Sequence, residues 1–207
     1  FTKRRRFRQL GISHILGFED GDSIFKLTPT AIDINDTRSL HVAELTRDAL
    51  RNMDRYIAGA KVLICGASYR QDVGDTRYSG SEMVVRKLSE MGAEMDVHDP
   101  YVENWYEFEE QDNKNEEAYS WKRFFRNQQN LTDIKVSKNL PEALKDTEAL
   151  ILAVPHEEYL ILDPDDIVKW AGGPIAIVDC FGILSDEKIR RYFELDCEVK
   201  ALGRGHI

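Results

Sequence analysis

The sequence predicts an α/β fold, a doubly wound and mostly parallel sheet preceded by a long helix, and three observations lead to it. Residues 61–101 read strand, loop, helix, strand; the last third repeats that rhythm; and one helical pattern runs through residues 34–56. Short apolar strands joined by single helices build parallel sheets with right-handed crossovers, so the arrangement expected is Rossmann-like.

Along the chain, residues 1–33 read as an irregular N-terminal segment. The chain begins at Phe1 rather than Met, as a processed or truncated piece would, and the KRRRFR run at residues 3–8 reads as a solvated end. Residues 34–58 are the long helix. Asn35, Asp36 or Thr37 would cap it, Leu40, Val42, Leu45, Leu50 and Met53 supply apolar positions, and Gly59 would end it. Residues 59–207 hold the sheet domain. Its first strand is the apolar run at 62–65. Ser79-Gly80-Ser81-Glu82 has the spacing of a capping box, in which hydroxyl and carboxylate satisfy each other's backbone N–H groups. Val84, Val85, Leu88 and Met91 follow at helical spacing, Gly92 is the expected stop, and a second strand ends at His98-Asp99-Pro100.

An insertion, residues 103–130, then interrupts the alternation. Seven acidic residues and one lysine fall within 103–117, together with Trp105, Tyr106 and Phe108. A helix over 116–129 would partly bury Tyr119, Trp121, Phe124 and Phe125. The segment is either a structural excursion or a lid or partner surface. Beyond it, strands are expected at 134–136, 149–154, 175–178 and 199–202, with helices at 140–145, 167–170 and 185–192.

Composition narrows the function. The 207 residues can bury a substantial core, and 42% hydrophobic with 31% charged residues is a globular balance. A formal net charge of -9 argues against nucleic acid as a partner. No run approaches the ~18 apolar residues of a membrane span. Three cysteines, odd in number and without ligand spacing, point to no metal site and to a reducing, cytoplasmic setting.

Open parallel sheets bind ligands beyond the carboxyl ends of their strands, which directs attention to the loop at 66–79. Its glycines, Gly66 and Gly74, do not make the G-x-G-x-x-G turn of a self-sufficient dinucleotide site, and Asp72 and Asp75 add negative charge. Tyr69-Arg70 and Arg77 offer instead an aromatic face and guanidinium groups, suited to a base and a phosphate. Read without a ligand, the same loop is a surface turn with Asp75 paired to Arg77 and Tyr69 packed on the sheet. His156, after the most apolar strand, stands where such sheets deliver ligands, and is equally compatible with a structural role. Cys180, with no activating base near it in sequence, reads as a buried thiol.

Three motifs in register over about 40 residues carry a family resemblance: Tyr69-Arg70, Gly74-Asp75-Thr76-Arg77 and Asp99-Pro100-Tyr101. The stretch resembles the C-terminal domain of the UDP-glucose/GDP-mannose dehydrogenase family. The resemblance implies that Tyr69 and Arg70, with His156, contact a nucleotide-sugar, and that Arg77 reaches an NAD cofactor held mainly by another domain. It also implies a homodimer built through residues 34–56. The implied reaction is NAD-dependent oxidation of a sugar primary alcohol to a uronic acid. Two features depart from the pattern. Phe181 stands where members place an arginine, and neither the catalytic cysteine motif nor the N-terminal NAD turn is in this sequence, so no catalytic residue is assigned here. The alternative is a stand-alone nucleotide or nucleotide-sugar binding module. A third reading has Asp99 holding a ribose hydroxyl, as in NAD domains.

Overall fold

The computed structural model describes residues 27–108, 125, 128, 131 and 134–204. The chain divides into two compact units, Phe1–Arg38 and Ser39–Ile207. The expected irregular segment lies outside the described residues up to 26, as do the insertion's acidic centre and all of the expected helix at 116–129 except residues 125 and 128.

The long helix, α1 (Leu27–Asn52), starts earlier than expected. Pro29 falls in its first turn, where a missing N–H costs no hydrogen bond. The expected caps at 35–37 lie inside the helix, where Thr37 Oγ1 donates to the Ile34 carbonyl at 3.4 Å. Its other end comes before Gly59, with Arg55 N–H folding back on the Leu50 carbonyl at 2.9 Å and Asp54 left-handed at φ 57°.

The second unit holds a six-stranded parallel sheet of β1 (Lys61–Cys65), β2 (Glu94–His98), β3 (Val136–Ser137), β4 (Ala149–Leu152), β5 (Ala176–Asp179) and β6 (Glu198–Ala201). Their order is β3-β2-β1-β4-β5-β6, so the chain reverses direction across the sheet between β1 and β4. Among the described residues five helices complete it: α2 (Gly80–Glu90), α3 (Leu140–Ala143), α4 (Glu157–Leu160), α5 (Pro164–Ala171) and α6 (Asp186–Glu194). The α/β, doubly wound expectation holds.

Side-chain alternation along each strand explains the two layers of helices. Val62, Ile64, Ile151 and Val178 face one way and pack with Val42 and Leu50 of α1 and with Val84, Val85 and Leu88 of α2. Leu63, Cys65, Leu150, Leu152 and Ile177 face the other way, against Leu140, Tyr159, Ile167, Ile189 and Tyr192. Burial on both faces is why β1, β4 and β5 read as unbroken apolar runs. All three cysteines are buried, Cys180 among them, and burial pushes the Cys65 and Cys197 thiols up, so these thiols stay protonated.

Two local expectations change. Ser79 does cap α2, its Oγ accepting the Ser81 N–H at 3.2 Å, but the reciprocal half of the box is absent: Ser79 N–H donates to Thr76 O at 3.0 Å. Glu82 instead accepts from Arg86 Nε at 2.7 Å, a fully buried pair one turn apart. Arg86 in turn donates to the Glu107 carbonyl at 2.7 Å and stacks on Phe108. Trp105 and Phe108, buried in the first core, make the described start of the insertion part of the structure rather than a detached lid.

Gly66 ends β1 at φ 106°, and a Cβ there would lie 2.5 Å from Val154 Cβ and 2.9 Å from its amide nitrogen. Gly172, at φ 86°, has open space around it. Gly66→Ala should therefore lower unfolding stability by roughly 2–5 kcal/mol, combining backbone strain with a steric overlap, and Gly172→Ala by only about 1 kcal/mol. Urea unfolding of the two variants compares them directly, and equal losses would remove the steric part of this argument.

Candidate functional site

Loops from three strand ends, those of β1, β2 and β4, converge on one carboxylate beside the point where strand order reverses. That point is where open α/β sheets form their ligand crevice. Asp99, directly after β2, is 0% exposed. Its Oδ2 accepts the N–H groups of Ala67 at 2.7 Å and Ser68 at 3.1 Å from the β1 loop. Its Oδ1 accepts those of Tyr101 at 2.8 Å and Val102 at 3.0 Å from its own turn. His156, from the β4 loop, donates from Nε2 to Oδ2 at 3.1 Å. With five donors upon it, the carboxylate has no capacity left for a ribose hydroxyl, which removes the third reading above.

Burial by itself would raise the Asp99 pKa, but the His156 bond and the N–H donors of Tyr101 and Ala67 outweigh it and hold the group at about 2. Lys138 closes the same turn, its Nζ donating to the carbonyls of Asp99, Pro100 and Val102 at 3.0, 3.1 and 2.7 Å.

His156 is also 0% exposed, and both of its ring nitrogens are engaged. Nδ1 accepts the Asp72 N–H at 2.9 Å, so Nε2 is the nitrogen that carries the proton. Nε2–H is shared between Asp99 and Ser68 Oγ, the latter at 3.3 Å. Asp72, in a left-handed conformation at φ 54°, accepts the Glu157 N–H at 3.2 Å. The half-exposed Tyr101 ring lies tilted over His156, centroids 5.0 Å apart.

On this frame sit the residues expected to bind ligand. Tyr69 is half-buried, and its N–H closes the loop onto the Asp75 carbonyl at 2.8 Å. Arg70 is exposed, with its guanidinium carbon 5.8 Å from the Tyr69 ring centroid. Arg77 holds Asp75 through two bonds, Nε at 2.9 Å and Nη2 at 2.6 Å, and lies largely in solvent. The loop thus presents its guanidinium groups outward, with Tyr69 half-buried beside Arg70, while its backbone is fastened inward. Among the described residues no glycine-rich cradle for a dinucleotide is formed: Val154 fills the space at Gly66, and the Tyr101 carbonyl lies 2.7 Å from a Cβ built at Gly74. The residues present do not fit NAD as a resident group.

At the next strand end, Asp179 accepts the N–H groups of Phe181, Gly182 and Leu184 at 3.0, 2.8 and 2.9 Å. This turn exposes Phe181 at 56%. Sequence reasoning passed over Ser68, Asp72 and Tyr101 as site residues; Asp99-Pro100 at a strand end was the visible signal for the buried carboxylate.

The Asp99 geometry has a consequence for acid stability. Its folded pKa of about 2 lies below the ordinary aspartate value of 3.8, so the unfolded chain takes up the proton first. The resulting stabilisation, about 2 kcal/mol, is complete above pH ~4 and is lost as pH falls from there through about 2. Urea midpoints measured from pH 6 to 2 should fall across that window in the wild type and flatten there in Asp99→Asn. Identical slopes for the two chains would contradict the assignment.

The sequence and the fold have counterparts among known proteins. The model of the UDP-glucose/GDP-mannose dehydrogenase family's UDP-binding domain matches residues 63–186, which include the whole network around Asp99. A UDP-N-acetyl-D-mannosamine dehydrogenase of Methanocaldococcus jannaschii is 27% identical over 142 residues, covering 69% of this chain and 26% of its own length. The UDP-glucose 6-dehydrogenase of Drosophila melanogaster is 22% identical over 175 residues, covering 84% of this chain and 34% of its own. Among solved structures, an NDP-N-acetyl-D-galactosaminuronic acid dehydrogenase from Methanosarcina mazei Go1 superposes with a TM-score of 0.69 at 24% identity, over 90% of this chain and 33% of that one, a likeness of fold. The chain spans about a quarter to a third of the length of these relatives. With the family model covering more than half of its residues, the chain belongs to the UDP-glucose/GDP-mannose dehydrogenase family and carries that family's UDP-binding domain.

Proposed function

We propose that this chain binds the UDP portion of a nucleotide-sugar through the β1 loop, as the substrate-binding part of an NAD-dependent UDP-sugar dehydrogenase. The observation that carries the proposal is the pairing of exposed Arg70 with Tyr69 on a loop held rigidly at the strand-order reversal. A guanidinium matches a diphosphate bidentately, and an adjacent aromatic face stacks on a base or ribose. Arg77 is assigned to contact NAD supplied from elsewhere, which requires it to exchange part of its pairing with Asp75. Oxidation of the sugar alcohol to a uronic acid, homodimerisation through residues 34–56 and a cytoplasmic setting belong to the same proposal and rest on family membership. No helix among the described residues is long and apolar enough to cross a membrane.

A second reading, a binding module without the chemistry, is favoured by one observation. Phe181 occupies, exposed, the strand-end position at which the family pattern calls for a cation. The two readings share the UDP site and differ in whether a catalytic half acts on the bound sugar.

UDP at one hundred times its dissociation constant should stabilise the 207-residue chain by about 2.7 kcal/mol, visible as a raised melting temperature. Arg70→Ala should weaken UDP at least tenfold by calorimetry, the scale of one charge-assisted bond, while NAD alone should produce no shift. An unmoved melting temperature with UDP would sink both readings.

A further inference from the structure

The residues on either side of the Tyr69-Arg70 pair are tied to the same imidazole. Before the pair, Ser68 Oγ lies 3.3 Å from His156 Nε2 and itself donates to the Arg70 carbonyl at 2.8 Å. After it, the Asp72 N–H is spent on His156 Nδ1 at 2.9 Å. The third bond of the ring runs to Asp99, which also holds the Ser68 N–H. Asp72 is left-handed, a conformation that non-glycine residues adopt at a cost and keep only where neighbours enforce it. Here the neighbours are the His156 ring and the Glu157 N–H. We propose that His156 is a positioning residue for nucleotide recognition: an acceptor on one side and a donor on the other, it sets the backbone from which Arg70 projects, without touching the ligand. This rests on the UDP reading above and names how that same loop is held ready.

Both nitrogens being spent inside the protein, the imidazole has nothing to offer a ligand unless those bonds break. Its effect on affinity therefore passes through preorganisation: a loop already in its binding conformation loses less freedom when the ligand arrives. The chemistry needed is specific. The Asp72 N–H requires an acceptor at the Nδ1 position, and Asp99 requires a donor at the Nε2 position.

The two requirements can be separated. Asparagine places its amide near the Nδ1 position, so His156→Asn keeps an acceptor for Asp72 and gives up the bond to Asp99. Glutamine reaches the Nε2 position, so His156→Gln keeps a donor for Asp99 and gives up the acceptor for Asp72. UDP calorimetry on the full chain should show Asn within about threefold of wild type and Gln weaker by about tenfold, the size of one lost hydrogen bond. Melting temperatures should run the other way, with Asn the lower, because it strips a donor from a buried carboxylate. Amide exchange by NMR is the second arm, and it needs no ligand: the Asp72 N–H should exchange faster in Gln and stay protected in Asn. Affinity that simply follows melting temperature through both variants, or an Asp72 amide equally protected in both, would overturn the proposal and leave His156 a structural residue. A wild-type chain that ignores UDP would instead sink the UDP reading, with the exchange arm still deciding whether His156 holds the loop.

Discussion

A single buried carboxylate governs this end of the molecule. An ionised group taken wholly out of water is costly unless fully hydrogen-bonded, and Asp99 meets that demand with four backbone N–H groups and one imidazole N–H. Those donors come from three loops far apart in the chain. Satisfying the charge therefore fixes the start of the β1 loop, the turn after β2 and the β4 loop relative to one another. Asp179 does the same on a smaller scale after β5, tying only its own turn. The different reach of these two aspartates explains why the β1 loop, and not the Phe181 turn, is the better-built platform.

From this follows a division of labour within the β1 loop. The backbone at Ala67, Ser68 and Asp72 is committed to the interior, while Arg70 and Arg77 keep their guanidinium groups at the surface. Thr76 adds a tie on the far side, its hydroxyl donating to Glu107 at 2.7 Å, and burial raises the pKa of that carboxyl above the ordinary range. The described beginning of the acidic insertion thus braces the same loop, through Glu107 and through the core packing of Trp105 and Phe108. Side chains carried on a braced loop lose little freedom when they meet a ligand, the general route by which rigid scaffolds confer affinity.

Much of the fold was legible because the central strands β1, β4 and β5 are local apolar runs and most helices carry a local stop or start. What escaped was either too short or too ambiguous. α4 is one turn and has no periodicity to detect. α5 is twice the expected length, and its start was written plainly in Asp163 followed by Pro164, a side-chain cap and a first-turn proline. At α2, Glu82 had two possible partners within one turn, and the buried guanidinium of Arg86 won over the cap. The site divides in the same way. Tyr69, Arg70 and Arg77 are contiguous enough to form motifs, whereas the bonds of His156 to Asp99 and Asp72 span 57 and 84 positions. No single-sequence pattern pairs residues at such separations; only the sheet order does.

If the loops gathered around Asp99 form the UDP site, as proposed, UDP will perturb their backbone amides. Amide shifts of the 15N-labelled chain titrated with UDP test this proposal most directly. Perturbations should concentrate at residues 66–78, around Tyr101 and at 156–157, with Gly59, Gly172 and Asp196, in the turns that precede β1, β5 and β6 at the opposite ends of the strands, unmoved. Shifts concentrated at those opposite strand ends, or spread evenly over the sheet with the 66–78 loop silent, would contradict it.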